Sequence, residues 1–136
     1  MKKIFIVLVV ALTFVGCSKP QREVYAEATL LANPDNCYLF ALGINSDEGS
    51  ANAPYDALDF TPETVGTTKV TQTLSLTKGV NMTYGSTMSY INTLGNSAYS
   101  FDFEVEIRIY VNGNLEETQI ATTSGSFGQD FNFIVP

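Results

Sequence analysis

Apolar and polar residues alternate along most of the chain after residue 22, which is the pattern of β-strands that bury one face. The clearest example is the segment FDFEVEIRIYV, residues 101–111, in which every second residue is apolar from Phe101 to Val111. No window keeps apolar residues at the three-and-four spacing of an amphipathic helix for three turns. The pattern therefore predicts an all-β chain.

Residues typical of turns, mainly Gly, Asn and Pro, divide this pattern into short segments. We predict strands at residues 23–31, 37–44, 57–60, 68–76, 80–90, 99–111, 115–123 and 131–135. The segment 38–42 is apolar on both faces, which predicts a central strand. A series of short strands without helices predicts an antiparallel β-sandwich of about seven to eight strands, immunoglobulin-like, with a small β-barrel as the alternative.

One hairpin is specified by its turn. The dipeptide Asn112-Gly113 predicts a two-residue type I′ turn, because both central residues of that turn need positive φ. In the resulting register Arg108 faces Glu117, an opposite-charge pair. The same register places Ile120 opposite Val105 on the buried face. This hairpin is loosely similar to those of small immunoglobulin-like or transthyretin-like secreted domains, a resemblance that implies a fold and no functional residues.

The N-terminal segment differs from the rest of the chain. Lys2 and Lys3 precede an apolar run, residues 4–16, which is the layout of a secretory signal. The run is shorter than the roughly 20 apolar residues that cross a bilayer as a helix. Its end, FVGC, resembles the lipobox of bacterial lipoproteins, with Phe14 in place of the usual Leu. The resemblance implies cleavage before Cys17 and a diacylglyceryl group on the Cys17 thiol.

These features divide the chain into three parts. We expect a cleaved signal peptide at residues 1–16, an acylated cysteine with a tether at 17–22, and one β-sandwich domain at 23–136. Lipid on Cys17 would attach the protein to a membrane of the bacterial cell envelope, with the outer membrane as the expected one. An ordinary secreted protein with an incidental cysteine near the cut is one alternative, and an uncleaved membrane anchor is another.

The charge and the cysteine content of the chain limit the kinds of partner that we expect. Cleavage would remove Lys2 and Lys3, leaving five basic residues against fourteen acidic ones and a formal charge of about −9. Such a surface disfavours nucleic acid, whose binding needs clustered Lys and Arg. Acylation of Cys17 would leave Cys37 without a disulfide partner, so we expect a buried, unreactive thiol there.

The composition also argues against catalysis. The chain has no histidine, which excludes Ser-His-Asp and Cys-His arrangements and histidine metal sites. The carboxylates of Asp102, Glu104 and Glu106 share one strand face, and we interpret them as a solvated surface rather than as a glycosidase pair. Neither an enzymatic activity nor a cofactor is expected.

The segment NSDEGSANAPYDALD, residues 45–59, is predicted as a long loop and as the contact surface, because binding residues concentrate in long loops. The candidate binding residues in it are Asp47, Glu48, Tyr55, Asp56 and Asp59. Its four carboxylates also match the ligand type that calcium prefers, without EF-hand spacing. A plain solvated loop is the alternative to a calcium site.

Two classes of function remain. The first is a membrane-anchored, non-enzymatic binding or structural module that recognises an unknown protein or small ligand through residues 45–59. The second is an inhibitor or immunity-type lipoprotein that blocks an envelope hydrolase with an acidic loop or a strand edge. The sequence favours the first and does not name the partner.

Overall fold

The computed structural model describes residues 19–33, 39–53, 63–89, 103–123 and 129–136. These residues form nine strands and no helix. The strands are β1 (Gln21–Ala32), β2 (Leu39–Ser46), β3 (Gly49–Asn52), β4 (Thr68–Val70), β5 (Leu74–Thr77), β6 (Asn81–Ser89), β7 (Phe103–Val111), β8 (Asn114–Thr123) and β9 (Gln129–Ile134). All pairings among them are antiparallel.

The strands form two sheets. The five-stranded sheet has the order β4-β1-β7-β8, and β5 pairs with the beginning of β1 on the same side as β4. The four-stranded sheet has the order β3-β2-β6-β9, so β2 is an inner strand as predicted. The described strands do not close into a barrel. The predicted antiparallel β-sandwich is therefore confirmed, and the barrel alternative is wrong for this part of the chain.

The core lies between the two sheets and follows from the alternation in the sequence. Every second residue of β7, from Phe103 to Val111, is buried. Two inward side chains in the middle of β1 are small, the fully buried Ala26 and Ala28, which lets the larger residues of the opposite sheet approach. The rings of Phe40 and Phe103 meet across the interface, with centroids 6.5 Å apart. Each large buried side chain contributes about 1.5–3 kcal/mol.

The predicted turn at Asn112-Gly113 is confirmed. Asn112 has φ of 50° and Gly113 has φ of 79°, as a type I′ turn requires. The turn is also tied to β1, since the Glu23 N–H donates to the Asn112 Oδ1 at 3.0 Å and the Asn112 N–H donates to the Glu23 carbonyl at 2.8 Å. Geometry and tertiary contacts therefore agree at this turn.

We expect Gly113→Val to lower the free energy of unfolding by about 1–3 kcal/mol, because a β-branched residue is strained at positive φ. Urea unfolding of the purified protein measures the change. Thr118→Val, on an exposed position of β8, is the matched control and should have little effect. Equal midpoints for the two variants would contradict the strain argument.

The register beyond this turn differs from the prediction. A bulge at Glu116 shifts the pairing, so that Arg108 faces Thr118 and Glu117 faces Ile109. One extra residue reverses the faces of all that follows. Ile120 is consequently 39% exposed on the outer face, and Ala121 is buried in its place. The predictions that Ile120 faces the core and that Arg108 pairs with Glu117 are wrong.

Two other predicted elements change. The predicted strand 68–76 is divided into β4 and β5 at Thr71, whose buried hydroxyl accepts from the Ala26 N–H at 3.0 Å in place of a ladder bond. Residues 49–52, predicted as part of a loop, form β3 and pair with β2. The predicted strand 57–60 lies outside the described residues.

Short turns gather at one end of the sandwich, which we call the Pro20 end. Besides Pro20, the residue before β1, this end holds the turns at 47–48, 78–79 and 112–113, together with Pro136. Backbone hydrogen bonds connect them: the Lys78 N–H donates to the Pro20 carbonyl, and the Gly79 N–H donates to the Val135 carbonyl. The first residues of the domain are thus fixed to the turns around them.

Candidate functional site

A groove of about 600 Å³ lies on the outer face of the four-stranded sheet. Its position follows from strand alternation. Leu42 and Ile44 of β2 and Tyr84 of β6 point into the core, so their neighbours along each strand face outward. The outward-facing residues that line it come from all four strands of the sheet. They are Ala41, Gly43, Asn45, Ser50, Asn52, Thr83, Gly85, Thr87 and Asp130.

The floor of the groove is formed by two glycines. Gly43 of β2 and Gly85 of β6 are directly paired, so neither residue at the centre of the sheet carries a side chain. Asn52 pairs with Gly43 on one side, and Asp130 pairs with Gly85 on the other. This row therefore has a polar side chain at each end and no side chain in the middle.

The two flanking side chains lean over the glycines. A Cβ atom added to Gly43 would lie 2.7 Å from the Asn52 Oδ1. A Cβ atom on Gly85 would collide with both the Asp130 carboxylate and the Gln129 carbonyl. The glycines thus allow an amide and a carboxylate to lie flat at the base of the groove.

Most polar side chains of the groove have no hydrogen-bond partner among the described residues. The side chains of Asn45, Ser50, Asn52, Thr87 and Asp130 are exposed and make no hydrogen bond to another described residue. Thr83 is the exception, since its hydroxyl donates to the Asn45 carbonyl at 3.4 Å. Amides and hydroxyls can both donate and accept, so this set can bind a ligand that presents both kinds of group.

The charge of the groove is low. Asp130 is the single ionisable side chain among its outward-facing lining residues, and none of them is Lys or Arg. General acid–base catalysis needs positioned titratable groups, usually two of them. The groove offers one carboxylate among neutral amides and hydroxyls, which is an arrangement suited to binding.

A buried polar contact supports the floor from the core side. The Tyr84 hydroxyl, from a side chain that is 1% exposed, donates to the Glu117 Oε1 of the other sheet at 2.7 Å. Gln119 donates to the same oxygen at 3.0 Å. Burial, followed by the hydrogen bond and negative charge of Glu117, raises the pKa of Tyr84 well above its usual range. The hydroxyl keeps its proton at neutral pH and connects the two sheets directly behind Gly85.

The sequence-predicted contact loop is placed differently from the prediction. Asp47 and Glu48 form the turn between β2 and β3 at the Pro20 end. The Thr77 N–H donates to the Glu48 carboxylate at 2.6 Å, and this bond is the main reason that the pKa of Glu48 lies below its usual range. A second hydrogen bond with Thr77 and the positive charge of Lys19 act in the same direction. Glu48 thus fastens the β2–β3 hairpin to β5.

The other predicted site residues lie outside the described part of the chain. They are Cys17, Cys37, Tyr55, Asp56 and Asp59. Among the described residues no three acidic or cysteine side chains come together to hold a metal ion. The predicted segment 45–59 does contribute to the groove, through Asn45, Ser50 and Asn52.

The two glycines of the groove floor were not among the residues predicted for the site. Gly43 and Gly85 each lie inside a strand, and a glycine in that position often marks a place where another group approaches the backbone closely. That signal was present in the sequence. Their pairing was not, because it depends on the register of β2 against β6.

Comparison with known proteins finds no family model, no characterised protein and no solved structure that matches this chain. The described residues include no helix of the length and apolarity needed to cross a membrane. The chemistry of the groove is therefore the basis on which a function can be inferred.

Proposed function

We propose that this protein is a lipid-anchored lipoprotein of the bacterial envelope whose β-sandwich is a non-enzymatic binding module. The observation that carries the proposal is the groove over Gly43 and Gly85, most of whose outward-facing polar side chains make no hydrogen bond to another described residue. Sites built on strands hold their side chains more precisely than sites on loops. The volume also lies in the usual range for small-ligand sites.

The N-terminal segment supplies the anchor in this proposal. Three residues lie between Cys17 and Gln21, the first residue of β1, and the four Cα–Cα steps from Cys17 to Gln21 span at most about 14 Å. Lipid on Cys17 would hold the Pro20 end against the membrane. The strands would then run away from the bilayer, and the groove would open sideways, where a ligand in the envelope can reach it.

The absence of a second titratable group in the groove favours binding over catalysis. Asp130 has no histidine to work with, since the chain has none, and no other outward-facing lining residue is ionisable. A hydrolase inhibitor would instead use an exposed acidic element. The Asp47–Glu48 turn is less suited to that role because Glu48 already bonds Thr77 and because the turn lies at the Pro20 end, next to the anchor.

The proposal is tested on the full chain expressed in a bacterium. Wild type should carry the mass of the lipid on Cys17 and enter the detergent phase of Triton extracts, and Cys17→Ala should do neither. Affinity capture from solubilised envelope should retain a component that the double variant Asn45→Ala, Asn52→Ala loses.

Asn81→Ala is the matched control for the capture, because Asn81 is exposed on the same sheet but does not line the groove. It should retain the component fully. An unacylated Cys17 would contradict the anchor. Retention that depends on Asp47 and Glu48 rather than on the two groove asparagines would contradict the binding site and favour the inhibitor function.

A further inference from the structure

We infer that the ligand of the groove is a neutral oligosaccharide, an inference that rests on the proposed function and specifies it. Three properties of the lining carry the inference. They are its lack of positive charge, its lack of outward-facing apolar bulk and its mixture of hydrogen-bond donors and acceptors.

Charge excludes anionic ligands. Phosphate and carboxylate groups are recognised by Arg, Lys or helix N-termini. The outward-facing lining has no basic residue, and the described residues form no helix. The Asp130 carboxylate would repel an anion.

Side-chain size excludes lipids and apolar peptides. The large residues among those that line the groove, Leu42, Ile44 and Tyr84, turn their side chains into the core. The outward positions are Ala, Gly, Ser, Thr, Asn and Asp. Apolar ligands need predominantly hydrophobic and aromatic pockets, which this groove does not provide.

A neutral ligand rich in hydroxyl groups matches the donors and acceptors of the lining. Each sugar hydroxyl is one donor and an acceptor, so it can pair with the Asn52 amide, the Thr87 hydroxyl and the Asp130 carboxylate alike. The Gly43–Gly85 pair lets the Asn52 amide and the Asp130 carboxylate lie close to the sheet, at the base of the groove. The volume of about 600 Å³ fits a chain of a few sugar rings rather than a single small solute.

The experiment titrates the lipidated full-length protein, held in a detergent without a sugar headgroup, with neutral tetrasaccharides. The probes are tetramers of glucose in α-1,4 and β-1,4 linkage, of N-acetylglucosamine and of mannose, with spermidine as the cationic probe. Backbone amide shifts of Gly43 and Gly85 report binding in the groove. At least one tetrasaccharide should shift both signals.

The variants separate a sugar site from a cation site. Asn45→Ala with Asn52→Ala should weaken saccharide binding by about tenfold or more, and Asn81→Ala should leave it unchanged. Asp130→Asn should weaken saccharide binding less than the asparagine double variant does, because the amide still accepts a hydrogen bond.

Two results would overturn the inference. Spermidine alone shifting the glycine signals, with the shift lost in Asp130→Asn, would make this a cation site. No saccharide shifting them, while envelope capture still depends on Asn45 and Asn52, would reject the sugar and leave the proposed binding function standing.

Discussion

Replacing Lys69 by methionine is expected to lower the free energy of unfolding by about 3 kcal/mol. Lys69 lies on β4 and faces Ala28 in the register, yet its ammonium reaches the other sheet. It donates to the Phe40 carbonyl at 2.8 Å and to the Glu63 carboxylate at 2.6 Å, and it lies 4.5 Å from the centroid of the Phe40 ring. Lys69 thus connects β4 to β2 at one side of the sandwich.

The size of the effect follows from burial. The side chains of Lys69 and Glu63 are 13% and 15% exposed, so removal of the ammonium leaves a carboxylate and a carbonyl poorly solvated. When one partner of a buried hydrogen bond is removed, the other stays desolvated without compensation, and the protein loses stability. The loss is larger for a charged group than for a neutral one. Exposed ion pairs, by contrast, contribute about 0–1 kcal/mol.

Urea unfolding of wild type, Lys69→Met, Glu63→Gln and the double variant measures the coupling as a double-mutant cycle. The double variant should be more stable than Lys69→Met, because it removes the orphaned carboxylate. Lys78→Met, at an exposed turn, is the matched control and should change stability by no more than about 0.5 kcal/mol. A Lys69→Met effect as small as that of the control would refute the bridge.

Gly85→Ala is expected to destabilise the protein by about 1–3 kcal/mol, and Gly43→Ala by less than about 1 kcal/mol. The two glycines face each other in the floor of the groove, so the same methyl group is added to neighbouring positions. What each methyl meets is different. At Gly85 it meets the backbone carbonyl of Gln129, which belongs to β9, as well as the Asp130 carboxylate.

The β9 backbone can move away only by weakening its pairing with β6, which extends from Asn81↔Ile134 to Ser86↔Gln129. At Gly43 the close neighbour is the end of the flexible Asn52 side chain, which can rotate into solvent. Thermal and urea unfolding of both variants provide the comparison. Equal losses of stability would show that the backbone contact at Gly85 does not limit the packing of β9.

Most strands and the Asn112-Gly113 turn could be predicted because their signals are local. Alternation in β7 reflects one buried and one solvated face, and the Asn112-Gly113 turn reflects a backbone conformation that few residues adopt. The lipobox resemblance at Gly16-Cys17 is local in the same sense and remains a prediction. None of these features requires knowledge of a distant residue.

The pairing of β8 could not be predicted, because it depends on the other sheet. Alternation alone would put Ile120 inside, yet the bulge at Glu116 turns Glu117 and Ala121 inward instead. Glu117 then accepts the hydrogen bond of the buried Tyr84 hydroxyl, which would otherwise lack this partner in the core. A hydroxyl located 33 residues away therefore accounts for a register that the turn by itself would set differently.

Most of the strands follow from the sequence alone, because each has a solvated face and a buried face that its own residues encode; β3 and the division between β4 and β5 do not. The position of the groove, by contrast, depends on how distant strands pair. Gly43 and Gly85 meet through the β2–β6 register, and Asn52 and Asp130 reach them from strands on opposite sides. Such a site is a property of how four strands align across a sheet, and alignment is set by the packing of the core on the opposite face.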